Sequence, residues 1–294
     1  MDEDGFSLST ARVAIVGLGL MGASLAMDLR GHCAEIIGVS RSPETLGYAI
    51  NHHIVDRVAD FDSVLDSDLI VLAAPVRTII QQLQDMQNSP FSNPSLKSTI
   101  VLDLGSTKTE IVKAMQTLPV RYDPVGGHPM CGKEVAGIQH AEASLYRDRI
   151  FVLTPLDRTT GKALTLVREM IGVIGAVPLF LTPERQDALV ALISHLPYLA
   201  ASGVMLTALL NSDDQLWTVA ASGFRDTTRL AASDLTMMVD ILLTNRDAIL
   251  EVLKEYQVNM ENLTALVKSA DESGLRAILA PTQQKRAQLF KQAN

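Results

Sequence analysis

Two cysteines in 294 residues, Cys33 and Cys131, leave little material for a disulfide framework. Their sequence surroundings differ, which points to free thiols in a reducing compartment. The start, Met1-Asp2-Glu3-Asp4, lacks the basic and apolar stretches of a secretory signal. The longest apolar stretch, residues 196–210, is roughly 15 residues and carries Pro197 and Ser202, short of the ~18 of a membrane span, and it reads as a buried helix. Positive charge is also short: 25 Lys and Arg stand against 33 Asp and Glu, a formal net charge of -8. That balance disfavours nucleic acid and anionic membranes as partners. It leaves room for a small anionic substrate in a locally basic pocket. There is no internal repeat and no low-complexity tract, and no metal site is expected. A cytoplasmic location follows as the expectation.

What is present is an ordinary globular composition, 47% hydrophobic and 20% charged, long enough for two domains. Short apolar runs at 11–17, 35–40, 69–74, 99–104, 149–153 and 177–181 read as strands. Helical stretches at 20–30, 43–51, 109–116 and 160–173 alternate with them. Ser42 and Pro43 suit the N-cap and first position of the second helix. Strand–helix alternation predicts an α/β fold with a doubly wound parallel sheet. After residue 182 only helical spacing remains. The expected domains are 8–181, a dinucleotide-binding domain, and 182–294, all helical.

The segment GLGLMG at 17–22 follows the first strand and opens a helix. Such a motif is weak alone, but its strand–turn–helix context strengthens it. Gly17 suits a tight turn, Gly19 a close backbone approach to phosphate, and Gly22 close helix packing, with Leu20 and Met21 in the same turn. The helix start offers free amide donors to a pyrophosphate. The second strand ends Ser40-Arg41-Ser42, with no acid before Glu44. An acid there would bond the ribose hydroxyls of NAD; Arg41 suits the extra phosphate of NADP, and both serines can donate to it. Arg41 stacked on adenine would be compatible with NAD, which stays the alternative. Ala74 and Pro75, ending the third strand, are placed beside the cofactor as well.

Three further segments carry chemistry. Residues 103–108 (DLGSTK) lie at the carboxyl end of a strand, the edge that faces the ligand crevice. They put Ser106 and Lys108 where cofactor and substrate would meet; the plainer reading is Thr107 or Ser106 capping the helix at 109–116, and both can hold together. Residues 126–132 (GGHPMCG) set His128 on what reads as a constrained, exposed loop, where a side chain that titrates near neutrality suits proton transfer. A surface histidine is the plain alternative. Residues 222–229 (SGFRDTTR) bring two arginines near one aspartate, either a helix-end ion cluster or a carboxylate anchor. Cys131 and Trp217 are read as packing residues.

GLGLMG, DLGSTK, GGHPMCG, SHLP at 194–197 and SGFRDTTR, in that order, make the chain resemble the prephenate and arogenate dehydrogenases of tyrosine biosynthesis, over about residues 11–240. The Ser40 segment and the GFRDT block look most like the cyanobacterial-type, NADP-using, arogenate-leaning branch. The resemblance implies oxidative decarboxylation of prephenate, with arogenate as the alternative substrate. It implies that His128 accepts the ring-hydroxyl proton, that Ser106 bonds the hydroxyl and orients His128, and that Arg229 binds the ring carboxylate. It also implies that Glu134 gates the pocket, that His195 lies close to the site, and that the helical domain forms a homodimer. Where some prephenate-preferring members carry a second histidine, this chain has Tyr198, which puts pyruvyl recognition in doubt. No regulatory domain is expected after the helices. A related two-domain dehydrogenase, of hydroxyisobutyrate or pyrroline-carboxylate type, is the more distant reading. The first of these needs a lysine in the helical domain, and Lys254 and Lys268 lie far from the SHLP helix. A non-catalytic dinucleotide sensor would have no use for His128.

Overall fold

The structure is a computed structural model describing residues 7–89, 98–133 and 135–289. The chain groups into two compact units, one running to Arg246 and the other beginning at Asp247. The first unit is built on one eight-stranded sheet: β1 (Arg12–Val16), β2 (Glu35–Val39), β3 (Arg57–Val58), β4 (Leu69–Leu72), β5 (Thr99–Asp103), β6 (Tyr122–Pro129), β7 (Ile150–Pro155) and β8 (Val177–Phe180). The spatial order is β3-β2-β1-β4-β5-β6-β7-β8. Its first six strands follow the nucleotide-binding order, with the reversal between β1 and β4.

The central strands are apolar throughout because both sheet faces are covered. Val13 and Ile15 of β1 join one core and Ala14 and Val16 the other. The helices of this part are α1 (Leu20–Leu29), α2 (Pro43–Asn51), α3 (Val76–Asn88), α4 (Thr109–Gln116) and α5 (Gly161–Val173). Leu25 and Leu29 of α1 and Leu166 and Met170 of α5 fill the first core. Ile79 and Leu83 of α3 and Ile111 and Met115 of α4 fill the second. Each anticipated strand and helix occurs, within a residue or two of its expected ends.

Two features of the sheet depart from expectation. It is not wholly parallel: β7 runs antiparallel to β6, with Gly126 opposite Thr154 and His128 opposite Val152. Among the described residues no helix of α length lies between β6 and β7, and a parallel return needs such a crossover. The stretch read as an exposed loop around His128 is the end of β6, hydrogen-bonded in the sheet and partly buried. Pro124 and the Gly126–Gly127 pair disguised this strand, since both residue types argue against a strand interior. Here they serve close approach. A Cβ on Gly126 would lie 2.0 Å from Thr154 Oγ1, and one on Gly127 would lie 2.6 Å from the Asp103 carbonyl oxygen.

Beyond β8 the first unit is helical: α6 (Pro183–Val190), a π-helical turn at Ala191–His195, α7 (Leu196–Leu209), α8 (Gln215–Val219), α9 (Ser222–Thr228), a 3₁₀ turn at Arg229–Ala232, and α10 (Leu235–Thr244). Pro183–Leu209 forms one continuous helical run of 27 residues, long and apolar enough by length and composition alone to cross a membrane. Its Gln186, Asp187 and His195 are instead buried within this unit. The expectation of a buried 196–210 helix needs correction. Ala201 is the one buried residue of α7, and Leu206 and Leu210 are 62% and 89% exposed. Apolar composition signals burial against something, and a single chain does not supply the cover. Trp217 is likewise not core: it is half exposed, edge-on to Phe224 at 6.3 Å. The second unit holds α11 (Arg246–Lys268) and α12 (Glu272–Leu289).

Gly126→Ala is expected to cost about 1–3 kcal/mol of stability, the usual range for overpacking. Adding Thr154→Ala removes the clashing hydroxyl and should recover part of that loss. Denaturant midpoints of the two singles and the double check this; strict additivity would contradict the close approach.

Candidate active site

The ends of β1, β2, β4, β5 and β6 share one edge of the sheet, because these strands are mutually parallel. Gly17 leaves β1 at φ +107°, a left-handed conformation, and a Cβ there would lie 2.2 Å from the Ala73 carbonyl oxygen. A Cβ on Gly22 would lie 1.9 Å from the Gly17 carbonyl oxygen, so α1 can start directly over the turn only with glycine there. Gly19 differs: it caps α1, and a Cβ on it would meet nothing within 4 Å. Its open side lies beside the first-turn amides of Leu20, Met21 and Gly22, which lack intrahelical acceptors. Free donors, a positive helix end and an unobstructed approach fit a pyrophosphate.

Ser40 follows β2. Its Oγ accepts from Ser42 N at 3.2 Å, and Ser42 Oγ accepts from Thr45 N at 3.2 Å, making Ser42 the N-cap of α2 as its sequence suggested. Arg41 between them is exposed and forms no ion pair among the described residues. Ala73 N donates to Val16 O at 2.8 Å, which brings Ala74 and Pro75 beside the glycine turn; Pro75 immediately precedes α3.

The neighbouring end of β5 holds a fully buried ion pair, Asp103 with Lys108. Asp103 also accepts from Gly105 N at 2.7 Å and Gly127 N at 3.0 Å, while Lys108 Nζ donates to Gly127 O at 2.6 Å. Burial, the largest influence on both, pushes the Asp103 carboxyl up and the Lys108 ammonium down, and their mutual attraction opposes it. Lys108 therefore stands locked within the protein, its ammonium turned to β5 and β6. Ser106, two residues earlier, is partly exposed at the edge.

Neither Ser106 nor Thr107 caps α4. Asp187 of α6 does so from outside, its carboxylate accepting from Lys108 N at 2.7 Å and Thr109 N at 2.8 Å. Its neighbour Gln186 places its amide nitrogen, Nε2, 2.5 Å from His128 Nδ1. Burial, then the Lys108 and His195 charges, push the His128 imidazole down to about 3. Burial pushes His195 down to about 4. Both rings are neutral near pH 7. Asn245 Nδ2 donates to Asp187 O at 2.8 Å and lies 3.2 Å from His195 Nδ1. Asp240 of α10 accepts from Arg77 N at 3.2 Å and Arg77 Nε at 2.6 Å, capping α3 as Asp187 caps α4.

The structure thus joins His128 and His195 through Gln186, Asp187 and Asn245. Sequence reading missed those three, and Asp103: a lone polar residue, whether in a helix, at a strand end or between two helices, carries no mark of burial. Tyr198 is half-buried in the first turn of α7, against which the Arg229–Ala232 turn packs, with Arg229 exposed. Arg225 pairs with Asp226 at 3.0 Å on the surface. Glu134 lies outside the described residues. Burial pushes the Cys131 thiol up to about 11, which suits a packing role. Among the described residues no group of three metal-ligating side chains occurs.

A turn of this form over the reversal in strand order defines a Rossmann-type nucleotide-binding domain, here followed by helices that reach back to its carboxyl edge. The family description "Prephenate dehydrogenase, nucleotide-binding domain" matches residues 25–179, and "Prephenate dehydrogenase, dimerization domain" matches residues 182–281. The prephenate dehydrogenase of Bacillus subtilis (strain 168) is 31% identical over 272 residues, which is 90% of this chain and 72% of that protein. The crystal structure of prephenate dehydrogenase from A. aeolicus in complex with hydroxyphenyl propionate and NAD+ superposes with a TM-score of 0.86 at 30% identity, covering 97% of this chain and 100% of the other. Synechocystis arogenate dehydrogenase gives a TM-score of 0.76, also at 30% identity, covering 95% and 99%. The chain belongs to the prephenate dehydrogenase family.

The depressed His128 value has a measurable consequence. The unfolded ring binds a proton below about 6.5, the folded ring only near 3. The unfolded state therefore holds more protons in that window, and the contribution to stability, full above pH 6.5, falls away as pH drops toward 3. Stability measured for wild type and His128→Asn should converge, or cross in favour of the variant, between pH 6.5 and 4.5. A difference independent of pH would contradict a neutral His128.

Proposed function

We propose that this enzyme oxidatively decarboxylates prephenate to 4-hydroxyphenylpyruvate in tyrosine biosynthesis. The observation that carries the reading is a neutral imidazole, His128, at the end of β6 on the same sheet edge as the glycine turn. The A. aeolicus relative, solved with NAD+ and a hydroxyphenyl ligand, supports it. When bound, the nicotinamide supplies the hydride acceptor. His128 takes the ring-hydroxyl proton as hydride leaves the same carbon, and Ser106 bonds that hydroxyl and orients the ring. The bond to the ring carboxylate then breaks, carbon dioxide departs, and its electron pair aromatises the ring. His128 returns its proton to the resulting phenolate oxygen. Burial and Lys108 keep the ring unprotonated but make it a weak base, so it takes the proton only as departing hydride makes the hydroxyl acidic.

Arg229 is assigned the ring carboxylate through its planar fork. Glu134, His195 and Tyr198 are assigned to the substrate pocket. Lys108 enters through its hold on Gly127 and its charge beside His128 rather than by touching substrate. The cofactor contacts are Gly17, Gly19, Leu20, Met21, Gly22, Ser40, Arg41, Ser42, Ala74 and Pro75. NADP is preferred, supported by an exposed Arg41 with no ion pair among the described residues and by the serines flanking it. Tyr198 and the likeness to an arogenate dehydrogenase favour arogenate as a second substrate. The functional boundary falls at 181/182, between the last strand and α6, and two copies associate through the helical part. The apolar side chains exposed on α7 support that association. The enzyme is assigned to the cytoplasm.

Purified protein should reduce cofactor and release carbon dioxide from prephenate or arogenate. His128→Asn should cut kcat by ~10²-fold or more with cofactor binding intact, and Arg229→Ala should act mainly by raising KM. No turnover of either substrate would overturn the reading. NADP should exceed NAD in kcat/KM, and Arg41→Ala should narrow that gap; an unchanged ratio would remove Arg41 from cofactor selection.

A further inference from the structure

Three positions of α1, Met21, Ser24 and Asp28, lie three and four residues apart and so share one face of the helix. Each accepts a hydrogen bond from the segment that leads from β6 into β7. Glu142 N donates to Ser24 Oγ at 3.0 Å, Ser144 N to Asp28 Oδ1 at 2.7 Å, and the Tyr146 hydroxyl to the Met21 carbonyl at 2.6 Å. Ser144 holds a left-handed φ of 71°, a strain that only a well-determined segment sustains. The same segment leads into β7, whose Val152 lies opposite His128.

The Tyr146 bond differs from the other two. Its acceptor is backbone, and that backbone belongs to the turn on which the pyrophosphate is placed. Tyr146 is fully buried and its ring is part of the core. Burial, then Cys131 and Asp28, push its hydroxyl well above the usual tyrosine range, so it keeps its proton and donates. In a regular helix the Met21 carbonyl already accepts from the amide four residues on, so the hydroxyl is its second donor. A carbonyl oxygen has two lone pairs and takes both. The Met21 carbonyl and the Gly22 N–H are the two ends of one peptide group. A donor on the oxygen polarises that group and makes its N–H a stronger donor. Gly22 N–H is one of the three first-turn amides without an intrahelical acceptor. A hydroxyl 125 residues along the chain thus reaches the cofactor turn through a single peptide.

We propose that Tyr146 is a positioning residue for the dinucleotide: through the Met21 carbonyl, its hydroxyl holds and polarises the peptide whose N–H, on Gly22, serves the pyrophosphate. The inference rests on the placement of the pyrophosphate at the glycine turn proposed above. It does not depend on which cyclohexadiene is oxidised. The pyrophosphate is common to NAD and NADP, so Tyr146 acts equally on both and leaves the choice between them to Arg41.

Met21–Gly22 is the one Met–Gly pair in the sequence. A full chain carrying ¹³C at methionine carbonyls and ¹⁵N at glycine therefore gives one carbonyl–amide correlation, and it reports this peptide. NAD+ or NADP+, whichever the wild type binds, should shift it. Tyr146→Phe keeps the ring and removes the hydroxyl, so the carbonyl of the free protein should move upfield. Calorimetric Kd for each bound cofactor should rise by about three- to tenfold, the span of one neutral hydrogen bond. The cofactor KM should rise in step, while kcat at saturating cofactor stays within about twofold. Ser24→Ala loosens the same segment without touching the peptide. It should lower Tm and leave Kd within about twofold of wild type. An unchanged Kd in Tyr146→Phe, or equal weakening in the two variants, would overturn Tyr146 as a positioning residue. Unequal rises for NAD+ and NADP+ would overturn it as well. If neither cofactor shifts the wild-type correlation, the pyrophosphate does not sit on this turn, and the placement falls together with the inference built on it.

Discussion

The buried pair Asp103–Lys108 is the interaction on which the rest of the site depends. It ties three pieces of chain together: the end of β5, the entry to α4, and Gly127 of β6, whose N–H and C=O are both engaged by it. His128 is the next residue, so its backbone is fixed from one side by charge and from the other by pairing with β7. Removing one member of a buried pair strands the other, at about 3–5 kcal/mol, whereas an intact pair contributes little net stability. Its role here is better seen as specification: a sheet edge that cannot drift, with a cation that opposes protonation of the adjacent imidazole.

The helices after β8 complete this edge in a repeated way. Asp187 caps α4 and Asp240 caps α3, each offering a carboxylate to amides that their own helices leave without acceptors. A cap of this kind contributes ~1 kcal/mol when local. Drawn from 78 or 163 residues away, it also fixes the position of the donor helix against the sheet. Placing Asp187 places Gln186, and Gln186 meets His128. Fold stability and side-chain geometry are therefore set by the same contacts.

Much of this was legible in the chain itself. The strands β1, β2, β4 and β5 showed as apolar runs because parallel strands bury both faces. The glycine turn showed because Gly17 and Gly22 have no tolerable substitute against Ala73 and Gly17. The strand carrying His128 stayed hidden because Pro124, Gly126 and Gly127 carry the signature of a loop, although here two of them permit close approach. Gln186, Asp187 and Asn245 stayed hidden for a different reason: what defines them is a partner far along the chain. The exposure of α7 was misjudged because hydrophobicity reports a wish for cover and not its source.

The π turn at Ala191–His195 acts as a phase adjuster. In an uninterrupted α-helix, residues nine apart are separated by about two and a half turns and face opposite ways. Gln186 and His195 are nine apart. The wider turn, next to Pro197, which has no N–H to continue the regular ladder, unwinds the run and swings His195 back toward the side that carries Gln186. One irregular turn thus lets a single rod present an imidazole and the partner of another to one sheet edge, a task that a regular helix of the same sequence length would divide between its two sides.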